Sequence, residues 1–319
     1  MFRRVLIFLL FIVFARTSDA AKIKKEDYFF IDKLVQDAGP MKGYGLQYIV
    51  DSITSQCKNE LQITRAFYRW AFLYLSFDMK RHRHPGNAVD NASSALMERK
   101  ASGLGYANLF QAMCTLRKIE CKVVKGVIRY RVKDIGKFHP DQIHYWNVVR
   151  IDHTDYLIDP TFGGGYFDDK GKHFIREWTD AWWLCNRKQF SCSHFPDDKN
   201  LQLLEMPISK TEFAQAPLVA PAAIVAGIVP SKSVKGVLRG VADSFEVLKF
   251  GIAGKLDVIG LEVSFDNEVK KPLLFDMDTY GFYITMPNGT HGEHTARVYI
   301  KGSLAFTFRT NMRKARLKK

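Results

Sequence analysis

The sequence predicts an α+β unit followed by an all-β unit, and three stretches carry that reading. Over residues 60–77, ELQITRAFYRWAFLYLSF, the side chains of Leu61, Ile63, Ala66, Phe67, Trp70, Ala71 and Tyr74 fall mostly at helical spacing. From Cys121 the period drops to two: CKVVKGVIRY (121–130) and HYWNVVRI (144–151) read as half-buried strands. Beyond residue 234, FEVLKF, LDVIGLEVSF, GFYITM, ARVYIKG and LAFTFR are short apolar runs divided by turn residues at fairly even spacing. That pattern predicts a small immunoglobulin-like β-sandwich, although no Cys…Trp…Cys spacing accompanies it.

The elements follow in order. MFRR and then eleven apolar residues, Val5 to Ala15, lead to Ser18-Asp19-Ala20, which reads as a signal peptide over residues 1–20. A membrane-spanning helix needs about 20 apolar residues, so this run is too short to be one, and the expected location is secreted and extracellular. Residues 44–77 read as helices, and HRHPGNAVDNAS (82–93) is a polar loop broken by Pro85 and Gly86. A further helix follows Gly103, with Tyr106, Leu109, Phe110 and Met113 on one face at i, i+3, i+4 and i+7. DHTD (152–155) reads as a turn, YLID (156–159) as the returning strand, and the glycines at 163–165 as the exit from that hairpin. Residues 216–233 are rich in Ala and Pro and read as a linker. The expected organisation is therefore a signal peptide (1–20), an α+β domain (21–215), a linker (216–233), a β-sandwich (234–308) and a basic tail (309–319).

With 319 residues, 47% of them apolar, the chain can fill two cores. Five cysteines, at 57, 114, 121, 185 and 192, leave at least one free or shared with another chain. Cys114 with Cys121, or Cys185 with Cys192, can pair, but spacing does not fix connectivity. No CxxC or His-rich spacing appears, so no metal and no cofactor is expected. Asn91 and Asn288 head glycosylation sequons. The formal charge of +14 is concentrated in two places: six basic residues and no acid in 309–319, and KRHRH at 80–84. Such patches can meet acidic glycans, although a solvated tail explains the first more simply. No nucleic-acid motif is present, so that partner is not expected.

The chemistry lies in the hairpin. Acyl transfer through a thiol needs a His to move the proton and an acid to orient that His. His144 opens one strand and Asp159 closes its neighbour, and with a two- or four-residue loop their side chains share a face with Trp146, which can wall the imidazole. ASGLGYANLF (101–110), HYWN (144–147) and IDPTF (158–162) together resemble the transglutaminase-like superfamily of papain-like folds, and longer stretches resemble its kyphoscoliosis peptidase branch. These stretches are RAFYRWAFLYLSFD (65–78), SHFPDDKNLQLLEMPISKTEF (193–213) and GEHTARVYIKG (292–302). The resemblance implies a papain-like transglutaminase core and assigns His144 and Asp159 to the catalytic His and Asp. It also puts Gly103 where that family carries its nucleophilic Cys. Cys114 lies eleven residues further on, about 16 Å along the helix, and reads as a core thiol; Ser102 is adjacent but points elsewhere.

The functional expectation is a secreted pseudoenzyme with a vestigial His144–Asp159 dyad, acting through protein, peptide or matrix binding. The alternative is an active cysteine-peptidase-like or transglutaminase-like enzyme with an unrecognised nucleophile. A third reading makes the fold a scaffold for its basic surface.

Overall fold

In a computed structural model, the described residues are 26–313 except 85, 87–88, 242–244, 253–259, 267, 277–280 and 286–290. The expected signal peptide, Asn288 and residues 314–319 lie outside them. No helix among the described residues is long and apolar enough to cross a membrane.

Three helices open the described chain: α1 (Glu26–Ala38), α2 (Leu46–Thr54) and α3 (Glu60–Tyr74). Asn59 starts α3 by accepting a hydrogen bond from Gln62 N, satisfying one of the free donors of the first turn. The face of α3 carrying Phe67, Trp70 and Ala71 joins a core with Ile31 and Val35 of α1 and Ile49, Val50 and Ile53 of α2. Arg65 is buried on the same helix because two carboxylates meet it: Asp32 Oδ2 at 2.7 Å and Asp180 Oδ1 at 2.5 Å. Sequence periodicity showed α3 well but gave no separate sign of α1.

A parallel pair, β1 (Ser76–Phe77) and β2 (Lys100–Ala101), closes a loop that carries α4 (Met79–Arg83) and α5 (Ala92–Glu98). The KRHRH cluster forms α4, and much of its charge is spent internally. Arg81 pairs with Glu98 at 2.6 Å, Arg83 donates to the carbonyl of Lys172, and the His82 ring stacks on Phe167. Arg81 and His82 are thus taken into the packing, while Lys80, Arg83 and His84 remain exposed. Asn91 is exposed, and its Oδ1 caps α5 through Ser94 N.

Helix α6 (Gly103–Leu116) then packs on β3 (Cys121–Ile128) and β4 (Ile143–Ile151), and β5 (Thr154–Ile158) pairs antiparallel with β4. Ile151 pairs with Thr154, so the loop is only Asp152-His153, both at positive φ (47° and 64°). Two left-handed residues are the signature of a tight turn whose twist matches the flanking strands. A short hairpin follows, β6 (Gly165–Phe167) with β7 (Phe174–Arg176). After α7 (Arg187–Phe190), strand β8 (His194–Pro196) returns to pair with β3, giving the sheet order β5-β4-β3-β8.

Residues 216–233 carry structure where composition suggested a linker. After α8 (Lys210–Gln215) come β9 (Leu218–Val219), α9 (Pro221–Val225) and β10 (Ile228–Pro230). Pro221 sits in the first turn of α9, where its missing N–H costs nothing. Val219, Ala223, Ile224 and Ile228 are buried in one apolar cluster that joins Trp146 and Phe190 to Phe306 and Phe308. The Ala/Pro content therefore reflects close packing rather than a free tether.

The C-terminal strands are β11 (Val237–Val241), β12 (Phe245–Ile252), β13 (Leu261–Phe265), β14 (Lys271–Pro272), β15 (Leu274–Asp276), β16 (Gly281–Thr285), β17 (Gly292–Ile300) and β18 (Ser303–Arg313). They form two sheets, β10-β12-β16-β15 and β11-β18-β17-β13-β14, with β9 added to β18. Phe282 of one sheet meets Phe306 of the other, ring centroids 6.3 Å apart. Strand β18 reaches Arg313, so the expected tail begins later than its charge suggested; Arg309 is held in the strand and pairs with Glu293 at 2.8 Å.

Arg129 clasps the end of β3 to the segment before β8 and to the end of α8. Its guanidinium is buried and donates to the carbonyls of Cys192, Ala214, Ala216 and Pro217, between 2.8 and 3.4 Å. Burial lowers its pKa to about 10, so it stays charged at neutral pH. Replacing it strands several buried carbonyls, each costing about 1–3 kcal/mol. Arg129→Met should therefore lower unfolding stability by about 3 kcal/mol, read as a fall in the urea midpoint with little change in slope.

Candidate active site

The site is built where the start of α6 meets the hairpin. Ser102 caps α6, accepting weakly from Leu104 N at 3.4 Å, and its hydroxyl donates to Asp90 Oδ2 in a very short bond. The two glycines that follow are both sterically required. A Cβ at Gly105 would strike Asp90 and lie 2.7 Å from Ala101 Cβ. A Cβ at Gly103 would lie 2.7 Å from His144 Nδ1 and 2.8 Å from His144 Cε1, closer than real side chains approach. The first residue of α6 thus faces the imidazole, and the ring already fills the space of a methyl group.

His144 and Asp159 come together as strand parity requires. Their side chains are completely buried, with His144 Nε2 2.8 Å from Asp159 Oδ2. Phe162 stacks on the imidazole at 4.9 Å and 23°, and Trp146 lies behind it at 6.4 Å and 29°. Asn147 ties the strand to α6, its Nδ2 donating to Ala107 O at 3.1 Å. Trp146 therefore lies where the hairpin face put it, next to the ring.

A second histidine, not singled out from the sequence, completes the cluster. His194 opens β8 and places Nε2 3.0 Å from the same Asp159 oxygen. Ser193 Oγ lies 2.8 Å from His194 Nδ1, and Phe190 stacks on the ring at 3.9 Å. The other Asp159 oxygen accepts from the backbone N–H groups of Thr161 and Phe162, at 2.8 and 3.0 Å. The only trace in the sequence was the SHFPDD segment, whose His carries no period or spacing that marks it.

These bonds fix the proton arrangement. Burial pushes the Asp159 carboxyl up, but the adjacent His144 and the bonds from both imidazoles outweigh it and hold the group far below the usual carboxylate range. An ionised carboxylate only accepts, so each neutral imidazole carries its hydrogen on Nε2. Nδ1 of His194 then accepts from Ser193, and Nδ1 of His144 faces Gly103.

Among the described residues no thiol or hydroxyl hydrogen-bonds to His144. Ser102 is committed to Asp90, and Cys114 is buried on α6 beside Cys121. Burial raises the thiols of Cys57 and Cys192 to about 11 and pushes Cys114 and Cys185 up as well. Such thiols are protonated at neutral pH and are poor nucleophiles. All five cysteines are unpaired in the structure.

The His144, Asp159 and His194 ligand atoms lie within 4.8 Å of one another. Both imidazole N–H groups are aimed at one carboxylate oxygen at hydrogen-bond length. The other Asp159 oxygen is held by two backbone N–H groups, so the carboxylate and both Nε2 atoms already have partners within the protein. The arrangement suits a His–Asp–His hydrogen-bond chain better than a cation cage.

Residues 47–160 match the model of the transglutaminase-like superfamily. That span includes Gly103, His144 and Asp159 and excludes His194. The chain carries a transglutaminase-like superfamily domain and is related to the kyphoscoliosis peptidases. It is 28% identical to kyphoscoliosis peptidase from Mus musculus and from Homo sapiens over 170 residues, 53% of this chain and 26% of each relative. It is 23% identical to Lim and transglutaminase domain protein ltd-1 from Caenorhabditis elegans over 205 residues, 60% of this chain and 28% of that protein. The match thus spans about a quarter of the length of these relatives.

His82 lies beside the site, and its titration is testable. Burial first, then the nearby His144 and Arg83, lower its pKa to about 4. The folded state keeps this ring neutral, while the unfolded chain takes up a proton below about pH 6.5. Its contribution to stability is present above pH 6.5 and is lost as pH falls from there towards 4. Buried His194, also shifted down, acts in the same direction. For His82, stability should fall by up to about 1.4 kcal/mol per pH unit across that window. His82→Phe, which keeps the contact with Phe167, should make the fall shallower in denaturation measured at successive pH values.

Proposed function

We propose that this protein is a non-catalytic transglutaminase-like protein that acts by binding protein, peptide or matrix. The observation that carries the reading is Gly103: the residue facing His144 Nδ1 has no side chain, and the ring occupies the space of its Cβ. Covalent acyl transfer needs an attacking sulfur or oxygen within reach of the base, and removing one member of such a triad costs roughly 10⁴- to 10⁶-fold in rate. Secretion, glycosylation at Asn91 and Asn288, and an immunoglobulin-like character for the C-terminal sheets belong to the same reading. Those sheets would serve as a contact surface. Because the curated relatives are much longer proteins, their peptidase name is not carried over as an activity.

The opposing reading, an active acyl-transfer enzyme, draws on one real feature: the intact, buried His144–Asp159 pair. The two readings separate in one assay. The protein is incubated with peptide and glutamine-donor substrates and with a thiol-directed probe at pH 7–8. We expect turnover at background and no difference between wild type and His144→Ala. Turnover that disappears in His144→Ala would establish the enzyme reading.

The same crowding predicts a stability effect. Gly103→Ala gains up to about 1 kcal/mol of helix propensity but forces the imidazole off its bond to Asp159. Overpacking of this kind costs about 1–3 kcal/mol, so the net change should be a loss of about 1 kcal/mol. A lower thermal midpoint would agree; an unchanged or higher one would mean that the ring yields freely.

A further inference from the structure

A concave pocket of about 640 Å³ lies between the α+β unit and the C-terminal sheets. Lys133 and Lys137 reach it from the connection after β3, Lys170 and Lys172 from the β6–β7 turn, and Arg297 and Arg309 from β17 and β18. Three acids also line it, and each is already committed. Asp169 meets Arg297 at 3.0 Å, Glu293 meets Arg309 at 2.8 Å, and Asp266 meets His294 at 2.8 Å. Bonding to Asp266 raises the His294 pKa, so positive charge on that ring is favoured as well.

The four lysines are therefore left over. All are exposed, and none has an acidic partner among the described residues. At physiological salt, charges interact over about 8 Å, so ammonium groups converging on one concavity repel one another. Such a cluster costs the fold something and raises the local concentration of anions. It draws on separate segments of the chain, so a ligand with charged groups at two ends could bridge the units.

We propose that this pocket binds a multiply charged oxyanion: sulfate or phosphate ester groups carried on a small scaffold. Lys133 and Lys137 would hold one end and Lys170 and Lys172 the other, with Arg297 and Arg309 able to turn from their carboxylates to give paired donors. This assignment is independent of whether the His144 site reacts, and it places anion recognition at this pocket rather than in residues 314–319.

The test uses the full chain, titrated by calorimetry with a heparin tetrasaccharide and, separately, with inositol hexakisphosphate; an unsulfated oligosaccharide serves as control. We expect one or both anions to bind, to raise the thermal midpoint, and to weaken steeply as salt rises. Binding of the sulfated ligand alone points to a glycan source, and of the phosphorylated ligand alone to a phosphate source. The triple variant Lys133→Gln, Lys170→Gln, Lys172→Gln should weaken binding at least tenfold while the unliganded protein melts no lower. A matched triple at Lys58, Lys188 and Lys199 should leave binding intact. The proposal falls if neither anion binds, if both triples act alike, or if deleting residues 314–319 alone abolishes binding.

Discussion

One buried carboxylate organises the centre of this protein. Asp159 is wholly inaccessible yet ionised, and burying a charge is tolerated only when its lone pairs are met. Here they are met by two imidazoles and two backbone N–H groups drawn from the start of β4, the opening of β8 and the turn after Asp159. Removing any one of them would leave a charged oxygen under-satisfied among Trp146, Phe162 and Phe190. The same requirement that makes the site look catalytic also makes it structural. A His–Asp pair in this setting can persist for the sake of packing and hydrogen bonding alone.

This dual character explains how a buried, fully bonded His–Asp pair can stand opposite a residue with no side chain. An orienting acid and a base are products of hairpin register, because a two-residue turn puts His144, Trp146 and Asp159 on one face. The residue that faces the imidazole comes from a different element, the first turn of α6, and here it is Gly103, which has no side chain. The imidazole has settled against the bare backbone at Gly103, and a neighbouring Asp90 imposes a similar restriction on Gly105.

Much of this was legible in the sequence, for identifiable physical reasons. Periodicity marked α3, α6 and the β4–β5 hairpin because each buries one face, and HYWN with IDPTF marked the dyad. Three features escaped. Strand His194 touches Asp159 only through tertiary folding, and a lone His in a short strand leaves no local sign. The 216–233 segment resembled a tether because small residues and proline suit both loose chain and close packing, and only burial separates them. KRHRH resembled a basic patch because a charge run does not reveal that Glu98 and Phe167, far along the chain, will meet it.

Strand β18 has a consequence for assembly. It lies inside its sheet, flanked by β17 and β11 and also touched by β9, yet it follows all three in sequence. The link to β11 is parallel and spans some seventy residues of chain, from Val237 to Arg309. Parallel closure over such a distance requires a large loop to be ordered before any contact rewards it, which slows folding. Until residues 303–313 are in place, β11 and β9 have no central strand to join. During synthesis the C-terminal strands must therefore wait as an exposed set of strand edges, the stage at which this chain is most open to misassociation.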